Sequence, residues 1–503
     1  MATTIYRIEK ERTICAFFLF FMYYFRRGWR MYVNERDEIS YHEFLRRLRE
    51  KNQLPLGHIC KGICTVSGMH RFEKGMRVAE KLMRDRFLAR LGIVCEKYED
   101  YLRPKEYVRW EQRQSIIKAI EHRQLEKAKA QLQVYASSED NNCIHLQFVD
   151  VMSYQIGKLE EAPQKIQLEL LYRALKRTIP NVKQALEGRH LLCDQEINLI
   201  AELISLEKPK TDETDVNAWR IIEYEKLIVY IENSHWEKLQ KAKIYPKLVW
   251  HICISMKEKE VTTIELQKLL KLCNVALALI KDTGCAYYQD VLTEIFHRLR
   301  ARLCEEEMDV CSIENKKVTA DFTYLYYENE CYDMVRVIEA RRRMLGFSRK
   351  KLAEGICAER TVVRFEREGQ NPSLEMVRQM FEKMGLCAEY RRARVITNDV
   401  DLLLLSDELI YNKNQADFKS WEVGLKQLEK SLCLEIPQNK QELCRLSAML
   451  RYQRGDIERE VYCRQLKKAL EYTLPTNAIH VEGEKYLTKN EREIIDLLEK
   501  EKN

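Results

Sequence analysis

Glycine and proline are both scarce in this sequence, 16 and 9 among 503 residues. So few turn-formers exclude a β-rich fold built on many tight hairpins. Long apolar runs are missing as well. The stretch Ile14 to Phe25, rich in Phe and Tyr, covers 12 residues where a bilayer needs about 20. It reads as a buried or partner-covered helix, and a membrane anchor is not expected. No secretory leader precedes the 17 cysteines, which are scattered through helical patterns. They are expected as small buried hydrophobes of a reduced, cytoplasmic protein. His58, Cys60 and Cys64 lie close together, but their spacing fits no zinc pattern and no second ligand pair follows, so no metal is expected. There is no phosphate-cradling glycine loop, nucleophile elbow or dinucleotide turn, and the ten histidines form no constellation. Neither an enzyme nor a cofactor is expected.

What is present is Leu, Glu, Lys, Arg and Ala, with apolar residues recurring at three- and four-residue spacings almost throughout. That period belongs to amphipathic helices, so the chain is expected to be all-α, with two to four domains for its length. The net charge of +7 is unevenly spread. Residues 42–93 carry +7 and residues 335–386 carry +5, leaving −5 for the remainder. Two basic islands in a slightly acidic body predict two surfaces built for a polyanion.

The islands are copies of one another. Gly62-Ile63-Cys64 recurs as Gly355-Ile356-Cys357, Arg71-Phe72-Glu73 as Arg364-Phe365-Glu366, and Leu91-Gly92-Ile93 as Met384-Gly385-Leu386. All three share an offset of 293 without a gap. Downstream, Tyr154-Gln155-Ile156-Gly157 matches Tyr452-Gln453-Arg454-Gly455, and Ala174 through Pro180 matches Ala469 through Pro475. The chain divides accordingly: an aromatic-rich segment 1–40, a basic domain 41–93, a helical array 94–330, a second basic domain 334–386 and a shorter array 387–503. Within the first array, helices over 144–156 and 163–178 make a hairpin turning at Gly157-Lys158-Leu159. Further helices are expected at 192–206, 214–234, 236–256, 261–281 and 285–304, with a loop at 208–215. Such hairpins bury their apolar faces only by stacking on neighbours.

In the second island a helix from Val337 ends at Gly346, and Ser348 caps a short helix that ends at Gly355. Ala358 to Arg367 supplies a third, with Val362 and Phe365 inward, and Ser373 caps a fourth. Two short helices joined by a tight turn and braced by others make a helix-turn-helix. The stretch from Ser348 through Leu352-Ala353, Gly355-Ile356-Cys357 and Arg364-Phe365-Glu366-Arg367 to Asn371-Pro372-Ser373 resembles the Cro/repressor-type (XRE) helix-turn-helix. The arrays, with Ala-Leu before an Ile/Leu-Pro pair in both copies, and Lys241 to Leu248 besides, resemble the tetratricopeptide-like domains of Firmicute regulators of the RRNPP type.

That resemblance implies a regulator of transcription whose third helix lies in the major groove of double-stranded DNA. It implies base-reading roles for Glu359, Arg360, Thr361 and Arg364, and phosphate contacts for Arg349, Lys350 and Arg367. In the first copy Val66, Ser67 and Arg71 occupy the reading positions and Thr65 caps the helix. Leu56 stands there where a polar group is expected, and Gly68 interrupts the helix at about 1 kcal/mol relative to Ala. Base reading is therefore expected to be weaker in that copy, with phosphate affinity retained. Regulators of this class pair their domains, here either as an intramolecular pseudo-dimer or as a homodimer through the array. The arrays imply control by a short signalling peptide or a protein, and Asn198, Asn217, Asn233 and Asn274 are polar positions where a peptide backbone could be held. The alternative is a non-enzymatic interaction scaffold whose helix-turn-helix domains have degenerated.

Overall fold

The computed structural model describes residues 39–501, apart from 138–141, 189, 210–214, 257–261, 305–321, 415–416 and 476–483. The apolar run 14–25 and most of the loop 208–215 lie outside the described residues. The chain is predominantly helical, as its periodicity requires. Among the described residues no helix is long and apolar enough to cross a membrane.

Each basic island folds into four helices whose ends match at the offset of 293, except that the third helix runs two residues further in the second island. In the first unit these are α1 (Tyr41–Lys51), α2 (Leu56–Cys60), α3 (Val66–Glu73) and α4 (Lys81–Arg90). Ser40 opens α1 by accepting from Glu43 N, and Thr65 opens α3 by accepting from Gly68 N. A strand β1 (Glu99–Leu102) leads out of this unit. The second unit is entered by β2 (Cys331–Asp333), contains α15 (Met334–Met344), α16 (Arg349–Ala353), α17 (Glu359–Glu368) and α18 (Leu374–Lys383), and leaves through β3 (Arg391–Arg392). Ser348 and Ser373 cap α16 and α18 through Lys351 N and Met376 N. Gly62 and Gly355, equivalent by the offset of 293, close α2 and α16 with φ of 78° and 80°, a region that glycine alone enters without cost.

Between the units run α5 (Pro104–Glu121), α6 (Leu125–Ala136), α7 (Cys143–Leu159), α8 (Gln164–Thr178), α9 (Val182–Leu186), α10 (Asp194–Leu206), α11 (Val216–Glu232), α12 (Lys238–Ser255), α13 (Thr263–Thr283) and α14 (Gln289–Leu303). Most neighbours in sequence pack as hairpins, and one apolar core runs through them. After the second unit come α19 (Val400–Asn414), α20 (Phe418–Ser431), α21 (Pro437–Gln453), α22 (Arg459–Glu471) and α23 (Lys489–Lys500). Gly157 does not make the expected turn. It lies inside α7, which continues through it to Leu159, and the chain reverses over 160–163.

The three strands were not foreseen. They form one small sheet in the order β2–β1–β3, with β1 parallel to β2 and antiparallel to β3. Glu99 is opposite Arg392 and Asp100 opposite Arg391. Glu99 and Arg392 differ by the duplication offset, so the antiparallel pair turns the exit of one unit onto the exit of the other.

The two arrays dock on their units through the same buried knot. In the first, Gln147 Nε2 donates to Thr178 Oγ1 (2.8 Å), which donates to Glu196 Oε1 (2.7 Å), while Cys193 N donates to Glu196 Oε2 (3.0 Å). In the second, Gln441, Thr473, Glu491 and Thr488 repeat this at 2.7, 2.6 and 2.9 Å. The cation differs. Arg90 of α4 grips Glu196 and the Thr178 carbonyl, whereas Arg341 of α15 grips Glu491 and the Thr473 carbonyl. The second array therefore docks at a different end of its unit. It also joins the first unit: the core of residues 41–93 is continuous with that of α19–α23, so the expected boundaries separate sequence copies and not packing units. Lys51 and Lys97 pair with Asp401 and Asp407 across this junction.

The glycines should separate by their surroundings. A Cβ on Gly62 would overlap the Thr178 carbonyl, whereas one on Gly355 meets nothing within 4 Å. Gly355→Ala should cost the backbone term alone, about 1–2 kcal/mol, and Gly62→Ala clearly more, read by chemical denaturation. A second expectation concerns pH. Burial, then the charges of Arg378 and Arg84, lowers His42 from 6.5 to about 4, and its Nε2 faces the Tyr390 hydroxyl at 3.1 Å. The unfolded chain takes up this proton first on acidification. The stability present above pH 6.5 should thus fall by on the order of 3 kcal/mol as pH drops toward 4. His42→Gln should flatten that part of the pH profile of thermal unfolding.

Candidate nucleic-acid interface

Helix α17 is amphipathic over ten residues. Val362 and Phe365 are buried against Leu352, Ala353, Val377, Met380 and Phe381. Arg360, Arg364 and Arg367 follow at spacings of four and three, which places them on one stripe opposite that core. All three are exposed and, among the described residues, none is ion-paired. Glu359 is exposed beside them and Thr361 is half-buried in the first turn. Ala358 opens the helix without a side-chain cap, which leaves N–H groups at its start open to an acceptor from outside. Lys350 is exposed on the neighbouring α16.

Arg349 departs from its expected phosphate role. Its Nε donates to Glu366 Oε2 at 2.6 Å. Glu366 is also clasped by Arg342, Nε to Oε1 at 2.8 Å and Nη2 to Oε2 at 3.1 Å, and Arg342 Nη1 reaches the Phe347 carbonyl at 2.9 Å. A buried carboxylate needs such partners, and here two guanidiniums from α15 and α16 fix the pitch of α17. The first unit repeats the clasp at the same offset: Arg49 holds Glu73 at 2.7 and 2.9 Å and the Leu54 carbonyl at 3.1 Å. Leu56 stands where Arg349 does, so the first clasp has one arginine fewer.

On α3 the reading positions Val66, Ser67 and Arg71 are all exposed, Val66 by 53%. Arg71 makes no ion pair among the described residues. Lys74, equivalent to Arg367, is exposed on the same stripe and extends it. The offset of 293 alone would have found it. The face of α3 thus carries two cations, Arg71 and Lys74, beside Val66 and Ser67, where that of α17 carries three guanidiniums beside Glu359.

Much of the islands' charge is internal. Lys81, Arg84, Arg86 and Arg90 of the first unit and Arg341 and Arg342 of the second are buried. They serve Asp85, Asp100, Glu196, Glu491 and Glu366. The outward charge is therefore smaller than the sequence predicts and is concentrated on fewer residues. Of the polar positions considered for a peptide, Asn198 is buried and accepts from Lys247 Nζ at 2.6 Å, so it belongs to the array interior. No family model, curated protein or solved structure matches the chain.

Structural and surface roles should separate on mutation. Glu366→Ala, which leaves Arg342 buried without its partner, should cost about 3–5 kcal/mol. Arg360→Ala should stay within about 0.5 kcal/mol of the parent. Urea denaturation of both variants checks this.

Proposed function

We propose that the chain is a sequence-specific double-stranded DNA-binding regulator of transcription. On this reading the four-helix units are helix-turn-helix domains and the hairpins behind them are repeat arrays that hold the domains in place. The observation that carries it is the stripe Arg360–Arg364–Arg367: three guanidiniums without an ion pair among the described residues, on a helix whose opposite side is anchored in a core and clasped by two arginines. A helix about 10–12 Å across fits the major groove of B-form DNA. There Arg360 and Arg364 are placed to meet guanine O6 and N7 in bidentate fashion, and Arg367 and Lys350 to meet phosphate. Glu359 suits the amino group of cytosine.

The scaffold reading draws support from the first unit, whose α2–α3 turn is pressed on Thr178. The outer face of α3 nevertheless remains exposed, and the second unit's turn is free. Regulation by a peptide or protein on the arrays remains part of the proposal, with no residue assigned.

Selection from random duplexes should yield a defined sequence. Arg360→Ala with Arg364→Ala should lose about 1–3 kcal/mol of base discrimination per contact and relax the consensus. Lys350→Ala should weaken all duplexes alike and flatten the slope of log affinity against log salt by about 0.9. Binding that selects no sequence and ignores salt would sink the reading.

A further inference from the structure

The pairing of β1 with β3 has the symmetry of a two-fold axis. In an antiparallel pair the two residue numbers of every rung share one sum, and the duplication adds 293 to one member. The axis must then pass where a residue meets its own equivalent, and that rung is Glu99 with Arg392. Neighbouring contacts obey the same rule. The Arg391 guanidinium lies 4.8 Å from the ring of its equivalent, Tyr98. Val78 packs against the core of the second unit and lines a cleft together with its equivalent, Asn371. The loops that follow α3 and α17 thus meet near the axis.

The residues on the axis have diverged in a particular way. Glu99 meets Arg392, and Tyr98 meets Arg391. Away from the axis, Asp85 meets Arg391 at 2.8 Å, while its equivalent Arg378 pairs with Glu389. Two first units facing each other would set Glu99 against Glu99, and two second units Arg392 against Arg392. Both are buried positions, where like charges are strongly unfavourable. Only unlike units complement each other, and one chain holds one of each.

We propose, resting on the DNA-binding reading above, that a single molecule is the complete reader of its operator. One chain occupies one duplex, on two unlike half-sites in inverted orientation. A two-fold relation inverts the half-sites, and their centres are separated by about one helical turn or a multiple of it. The half-sites differ because the faces differ. The α17 half is G·C-reading through Arg360 and Arg364. The α3 half, with Val66 and Ser67 outward, suits the methyl group of thymine, with Arg71 and Lys74 at its edge.

The test uses the full chain and duplexes selected from a random pool, with stoichiometry read by native mass spectrometry and sedimentation. The expected complex holds one chain per duplex, over two inverted, non-identical motifs. Arg360→Ala with Arg364→Ala should relax one motif only, and Ser67→Ala with Arg71→Ala the other only. Inserting five base pairs between the motifs should lower affinity about 100-fold, since joint engagement is lost. Two chains per duplex, a single motif, directly repeated motifs or indifference to the insertion would overturn the single-molecule proposal while leaving DNA binding intact. Failure to enrich any duplex would remove the reading on which it rests.

Discussion

Burial of carboxylates is the constraint from which this architecture follows. Glu196 and Glu491 are fully buried. A charge so placed is tolerated only with a cation and hydrogen bonds around it, because desolvation otherwise exceeds any packing gain. In both arrays a threonine hydroxyl and a backbone N–H take part of that role, and an arginine from a four-helix unit takes the rest. Arg90, with Arg86 beside it, keeps Glu196 ionised down to about 2 against the pull of its burial. An array therefore needs a basic unit docked on it to complete its own interior. The basic islands are in the first place structural.

The choice of arginine sets the geometry. Had both arrays used the equivalent of Arg90, each half would repeat the other and the units would stand apart like beads. Position 383 is Lys where the first copy has Arg90, and position 341 is Arg where the first copy has Leu48. The second array consequently docks on α15, reaches the first unit and shares its core. That lodging brings the exits of both units together, so that β1 and β3 can pair. Strands of four and two residues have no independent stability. They exist because helices on either side deliver them to one place.

This explains how much was legible beforehand. The helices and their caps were readable, since Ser348, Thr65, Ser373 and the αL glycines act within a few residues of themselves. The duplication was readable, and its offset carried the Arg49–Glu73 and Arg342–Glu366 clasps with it, bond for bond. The sheet was not, because its partners are some 230 to 290 residues apart and too short to show a pattern. Arg349 was misread because a surface arginine and one serving a buried carboxylate on the next helix look alike in sequence. Gly157 was misread for a related reason: a glycine inside a helix that runs on to Leu159 and one that turns the chain look alike in sequence.

The division of the cations into inner and outer sets also bears on what the outer ones do. An arginine committed to a buried carboxylate contributes little to the field outside, where screening confines unpaired charges to about 10 Å. On the proposed reading the polyanion-facing surface is thus not the whole island but the stripe on α17 and the smaller edge on α3. Affinity drawn from a broad basic patch would be indifferent to sequence. A few guanidiniums on a helix held rigid by a buried clasp have fixed directions, and fixed direction is what a hydrogen-bond pattern on base edges requires. The same burial that removes charge from the surface thereby sharpens what remains.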